Sequence, residues 1–337
     1  MKRTTLLLCI TILIVSCSTC QNKNTSKNTA KATDYDKIIT ADNLKEALYT
    51  YASDEFEGRK TGEPGQKKAA EFIKNHYIAL GIPSPIAEGD YFQDIPTSFF
   101  NSDVNNPSEN VLAYIKGSEK PDEVVIISAH LDHIGISKNG DINNGADDDG
   151  SGTVAILEIA KAFKAAVDKG YGPKRTILFL HVTAEEIGLY GSRYYTDVDP
   201  IFPLKNTVAD LNIDMIGRVD PKHENQRNYV YLIGSDKLSK ELHNISETVN
   251  KKYFNMELDY SYNDDNDPNR FYYRSDHYNF AKNNIPVIFY FNGTHADYHK
   301  PTDTPDKIQY DLLETRARLI FHTAWELANR DERIKVD

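Results

Sequence analysis

The sequence predicts an α/β fold: three layers, α/β/α, around a mixed, mostly parallel central sheet. Continuous apolar runs, of the kind a strand buried on both faces needs, alternate with stretches of helical periodicity. Clusters of His, Asp and Glu stand directly after several of those runs, at the strand ends where open α/β sheets form their crevices. No repeat period is present, and no linker later than residue 35 is long enough to separate two domains. With 337 residues, 40% of them hydrophobic and 26% charged, the chain can bury one substantial core.

The first sixteen residues read as a leader outside the fold. Lys2 and Arg3 precede an apolar stretch from Leu6 to Val15 that is too short to anchor across a bilayer. Ile14-Val15-Ser16-Cys17 resembles a bacterial lipoprotein signal, with Cys17 the residue to be lipidated and Cys20 a second candidate. Residues 17–35 are expected to form a polar, flexible tether, and residues 36–337 the folded domain. The expected location is therefore the bacterial cell envelope, lipid-anchored and facing the periplasm or the outside. Because the only cysteines are Cys9, Cys17 and Cys20, the body of the protein has no disulfide and no thiolate. That excludes a zinc ribbon and a cysteine nucleophile. A net charge of −11 without a basic run argues against nucleic acid as a partner.

From Asp42 the spacing of Leu44, Ala47, Leu48 and Tyr51 predicts a helix, and a second is expected over residues 66–80, stopped by Gly81 and Pro83. Residues 123–129 predict a strand, and 153–167 a helix with Ser151 as N-cap. Further strands are expected at 175–182, 208–213 and 286–291, and a closing helix at 312–328.

The chemistry is concentrated in five clusters. His130 and Asp132 are two apart in an extended segment and share a side, so Asp132 is placed to receive the second N–H of a metal-bound imidazole. Gly145 to Gly152 holds three consecutive aspartates whose repulsion calls for a cation or a helix N-terminus. It lacks the alternating ligands and terminal Glu of a calcium loop. In the adjacent pair Glu185 and Glu186, neighbouring side chains diverge, so one carboxylate can bind metal while the other faces substrate. Asp214 ends an apolar strand and needs compensation there. Tyr298 and His299 follow the last strand. Imidazole mixed with carboxylate suits zinc. Ser275-Asp276-His277 is not a nucleophilic triad, because consecutive residues cannot converge, and His181 within a strand reads as a core residue.

Together with the Glu57-Gly58-Arg59-Lys60-Thr61-Gly62 segment, these clusters in this order resemble the di-zinc aminopeptidases of the transferrin-receptor-like metallopeptidase family, clan MH. The resemblance covers the chain after the tether and implies the zinc-peptidase (phosphorylase/hydrolase-like) fold. It implies two zinc ions per chain: His130 and Asp214 on one, Glu186 and His299 on the other, and Asp148 bridging. The register of the acidic loop, two residues before the Gly of Gly150-Ser151-Gly152, selects Asp148. It further implies a zinc-activated water with Glu185 as general base, Asp132 orienting His130, and Tyr298 assisting the tetrahedral intermediate.

The implied reaction is removal of single residues from peptides with free N-termini. Aromatic residues near Phe271-Tyr272-Tyr273 and Phe289-Tyr290-Phe291 favour apolar first residues. The rivals are a glutaminyl-peptide cyclase on the same fold, a carboxypeptidase relative, and a non-catalytic binding ectodomain. The run from Glu185 to Ser192 and the intact Asp-Gly-Ser-Gly loop favour the peptidase.

Overall fold

The structure is a computed structural model that describes residues 30–101 and 104–337. The leader, Cys17 and most of the tether lie outside the described residues.

The strands, in chain order, are β1 (Phe92–Ile95), β2 (Ser108–Ile115), β3 (Lys120–His130), β4 (Arg175–Val182), β5 (Thr207–Ile213), β6 (Tyr229–Ile233), β7 (Glu257–Asp259) and β8 (Val287–Phe291). They form one sheet in the order β1-β2-β4-β3-β5-β8-β6-β7. The central strands β4, β3, β5 and β8 run parallel, while β2 and β6 pair antiparallel on either side of that block. The parallel strands are the ones legible as apolar runs, because both of their faces are covered.

The helices are α1 (Ala41–Tyr51), α2 (Pro64–Leu80), α3 (Gly152–Asp168), α4 (Tyr190–Asp197), α5 (Lys240–Tyr253), α6 (His277–Ala281) and α7 (Tyr310–Asn329). On one face of the sheet α1, α2, α3, α5 and α7 pack over Val125, Ile127, Phe179 and Leu211. On the other face Tyr195 of α4 and Phe280 of α6 pack over Val124, Ile126, Leu178 and Leu180. Each strand thus sends alternate side chains into two cores.

Two expectations need correction. The tether ends earlier than residue 35: Ala32 and Tyr35 are buried, and the Tyr35 ring stacks on Trp325 at 5.7 Å. Nor does Ser151 cap α3. It is itself helical in backbone angle, and its hydroxyl donates to the Asp147 carbonyl. The cap comes from Asp149, whose Oδ1 accepts from Gly152 N at 3.0 Å. A side chain at Gly152 would start 2.4 Å from that oxygen and push the Asp149 carboxylate out of its capping position.

Candidate metal centre

The parallel block ends on one rim of the sheet. His130 finishes β3, Glu185 and Glu186 follow β4, Asp214 follows β5, and Tyr298 and His299 lie beyond β8. The acidic loop between β3 and α3 reaches the same rim.

There the three aspartates separate. Asp147 turns inward, accepting from Gly217 N at 2.6 Å and meeting His295 Nε2 at 3.1 Å. Asp149 also turns inward and ties the rim together, accepting from His130 N at 3.2 Å and Met215 N at 3.1 Å. Burial holds its carboxyl well above the usual range. Only Asp148 faces the rim, between the two histidine–carboxylate sets. Its Oδ1 is 3.2 Å from His130 Nε2 and its Oδ2 is 3.1 Å from His299 Nε2.

Around those two oxygens the remaining donors gather. Asp214 Oδ1 lies 3.6 Å from His130 Nε2 on one side, and Glu186 Oε2 lies 3.2 Å from His299 Nε2 on the other. Asp148 Oδ2 is buried with no hydrogen-bond donor aligned on it. No Lys or Arg among the described residues forms an ion pair with Asp148, Glu185, Glu186 or Asp214. Burial works against charge here, lowering His130 and His299, yet contacts with the facing carboxylates reverse this. His130 ends well above its ordinary value, and His299 is pushed up to about 10. Such a set, rich in carboxylate and short of cations, fits divalent ions of the zinc type.

Glu185 differs from its neighbour as required for a second role. It lines the cleft, and no side chain among the described residues hydrogen-bonds its carboxylate. Burial and then the Asp214 and Glu186 charges raise it well above an ordinary glutamate, against the pull of His130. Its backbone N–H donates to Asp132 Oδ1 at 3.2 Å, while Thr61 Oγ1 donates to Asp132 Oδ2 at 2.7 Å. The His130 Nδ1 instead meets the backbone carbonyl of Asp132 at 3.1 Å, with the nearer carboxylate oxygen at 3.8 Å. Asp132 therefore orients His130 through its main chain, and its carboxylate positions Glu185.

His133 was not singled out in the sequence. It is buried, and its Nδ1 lies 2.6 Å from Glu186 Oε1 and 3.8 Å from Asp148 Oδ2. It holds the Glu186 oxygen opposite the one facing His299, so it fixes the carboxylate's orientation. The available signal was its place right after His-x-Asp.

Arg59 explains the early glycine-flanked segment. Its buried guanidinium donates to the carbonyls of Leu131, Asn144 and Gly145 at 3.1, 2.6 and 2.8 Å, and stacks on Tyr51. One side chain thus clamps both the loop after β3 and the acidic loop. The Ser-Asp-His run also separates as expected. Ser275 Oγ donates to Asp214 Oδ2 at 2.7 Å, Ser192 Oγ to Asp276 at 2.5 Å, and His277 stacks on Phe289. His181 is a core residue whose ring meets the Tyr77 hydroxyl at 2.8 Å.

The cleft over the candidate metal ligands is walled by Met215, Phe271, Phe289 and Phe291, with Tyr298 stacked on His299 at 3.9 Å between ring centres. Phe289 and Phe291 share a face of β8. Tyr290 points the opposite way into the other core. Of the aromatic runs picked out in the sequence, only these alternate members and Phe271 reach the site.

Residues 110–324 match peptidase family M28. The chain belongs to that family. Its M28 relatives include a probable glutamate carboxypeptidase of Arabidopsis thaliana, 32% identical over 143 residues that make up 41% of this chain and 20% of that protein. Aminopeptidase YwaD of Bacillus subtilis is 31% identical over 139 residues, 41% of this chain and 28% of that protein. The chain thus spans less than a third of either relative. In fold it is similar to a zinc aminopeptidase from Bacillus subtilis, with a TM-score of 0.66 at 17% identity, covering 89% of this chain and 98% of that one.

Proposed function

We propose that this M28 chain is a metal-dependent aminopeptidase that holds two zinc ions, bridged by Asp148. The observation that carries the reading is the division of labour on the rim. Asp148 addresses a His130–Asp214 set with one oxygen and a His299–Glu186 set with the other, while Glu185 stands beside them unengaged.

Ions bound there would polarise the scissile carbonyl and make a water acidic enough to attack at neutral pH. Glu185 takes the proton from the attacking water and returns it to the leaving amine, a role open to a carboxylate that lines the cleft and has no side-chain hydrogen bond among the described residues. Asp132 keeps that base in place through the Glu185 N–H. The Tyr298 hydroxyl, on the cleft wall, stabilises the charge that develops on the carbonyl oxygen. The apolar wall of Met215, Phe271, Phe289 and Phe291 takes the side chain of the first residue, and the cleft carboxylates attract the free α-ammonium.

A peptide with a free α-amine compared with its acetylated twin tests this reading. Cleavage of the free peptide alone is expected. Equal cleavage of both would point to the carboxypeptidase branch, and ring closure of an N-terminal Gln without shortening to the cyclase.

From the leader ending at Ser16-Cys17 and the polar stretch after it, we infer that the mature protein belongs to the bacterial envelope, anchored through Cys17. One acyl chain holds a protein only marginally, so stable anchoring rests on the several chains a bacterial lipoprotein carries. Cys17→Ser is expected to move the protein from the membrane to the soluble fraction. Unchanged fractionation would contradict an anchor at Cys17 and point to Cys20 or to no lipidation.

A further inference from the structure

The cleft lined by metal ligands and aromatic rings contains one guanidinium. Arg274 is exposed, and its guanidinium carbon lies 5.0 Å from the centre of the Phe271 ring on the cleft wall. Although Glu185 and Asp214 line the same cleft, Arg274 forms no ion pair with a carboxylate among the described residues. Other arginines also lack an ion pair, Arg193 and Arg270 among them, but Arg274 is the one that lines this cleft.

Its place is nonetheless fixed. The next residue, Ser275, donates to Asp214 Oδ2 at 2.7 Å and accepts from Asn212 Nδ2 at 2.8 Å. The Arg274 N–H donates to the Phe271 carbonyl at 3.0 Å. Arg274 is therefore tied through its neighbour to a metal ligand, and stacking on Phe271 orders the guanidinium before substrate arrives.

A cation in this position has a consequence for selectivity. The α-ammonium of a substrate is repelled by it and settles toward the cleft carboxylates. The guanidinium is left with its donors unmatched, in the fork geometry that pairs with a carboxylate.

We propose that Arg274 is a specificity-determining residue that selects substrates carrying a carboxylate close to the scissile bond. That carboxylate is either the C-terminus of a dipeptide or the side chain of an acidic first residue. The inference rests on the aminopeptidase reading and narrows its substrate class from peptides in general to short or acidic ones.

The test compares kcat/KM for two matched pairs, Leu-Leu with Leu-Leu-amide and Glu-Leu-amide with Gln-Leu-amide, in wild type, Arg274→Ala and Arg274→Lys. In one pair the wild type should favour the carboxylate partner by about ten- to a hundredfold, the scale of a charge-assisted contact, with the difference carried mainly by KM. Arg274→Ala should abolish that preference, and Arg274→Lys should retain part of it because the charge remains but the fork is lost. The pair that shows the effect identifies the source of the carboxylate. Absence of a preference in both pairs, or a preference that survives Arg274→Ala, overturns the inference while leaving the aminopeptidase reading intact. Cleavage of acetyl-Leu-Leu at the rate of Leu-Leu overturns the aminopeptidase reading itself, and this inference with it.

Discussion

Among the described residues, two groupings of histidine and carboxylate invite comparison as metal centres, the rim of the parallel block and the β6–β7 edge. At the β6–β7 edge of the sheet His223 lies between Asp220 and Asp259, at 2.8 and 3.2 Å, with Glu257 nearby. The Lys222 ammonium is 2.6 Å from Asp259, and the Tyr231 hydroxyl donates to Asp220 at 2.7 Å. The His223 ring stacks flat on Tyr229 at 3.6 Å. Asp220 and Asp259 there each have a protein partner besides the imidazole. On the rim of the parallel block, the ion-pair partners of Asp148, Glu186 and Asp214 among the described residues are imidazoles, with the neutral Ser275 hydroxyl also donating to Asp214, and Asp148 Oδ2 has no aligned donor. A count of His and Asp does not separate the two. What separates them is the cation the protein supplies at one cluster and withholds at the other.

The largest effect that sharpens this contrast is on rate. Glu185→Gln should keep the metal content of the wild type while losing roughly 10²–10⁴-fold in kcat, the usual scale of acid–base assistance. Glu186→Gln should lose metal first. The reverse pattern in elemental analysis and kinetics would exchange the two roles.

Chelation comes next. Because ligand binding to the native state stabilises it by mass action, zinc at a hundred times its Kd adds about 2.7 kcal/mol per independent site. Denaturant midpoints should therefore fall on chelation and recover on adding zinc. A midpoint insensitive to chelator would break the contrast.

Arg59→Lys should cost about 1–3 kcal/mol, since a lysine cannot reach the several buried carbonyls that the guanidinium serves. It should also weaken zinc binding, because the acidic loop is no longer clamped to the loop after β3. Unchanged zinc affinity at reduced stability would confine Arg59 to a folding role.

The smallest effect concerns the other cluster. Lys222 is half-exposed, so Lys222→Met should change stability by about 1 kcal/mol or less. At high zinc the variant should acquire a weak extra equivalent that the wild type lacks. If it does not, the ammonium is not what keeps metal from His223.

The sequence made the parallel strands and the ligand-bearing rim legible because both rest on local signals. Residues 175–182, read as a strand, are β4, since a fully buried strand is apolar throughout. The outer strands β1, β2, β6 and β7 were not anticipated: β1 and β7 span only four and three residues, while β2 and β6, though buried, lack a His or carboxylate cluster after them to draw attention. At the site, His-x-Asp and the acidic loop announced themselves by spacing. His133, Arg59 and the inward turns of Asp147 and Asp149 did not, because their partners lie far along the chain. Gly217 is 70 residues from the Asp147 it binds, and Leu131 is 72 from Arg59. Arg274 carried no signal either, since only the fold brings it to the cleft.

The central claim is that Asp148 joins two metal positions into one centre, and counting zinc tests it most directly. Titration of chelated wild-type protein with zinc, followed by elemental analysis, should reach two equivalents per chain, and Asp148→Asn should lower affinity at both positions. A single equivalent that does not rise with added zinc, or an Asp148→Asn variant that loses only one of two ions, would contradict the bridged centre.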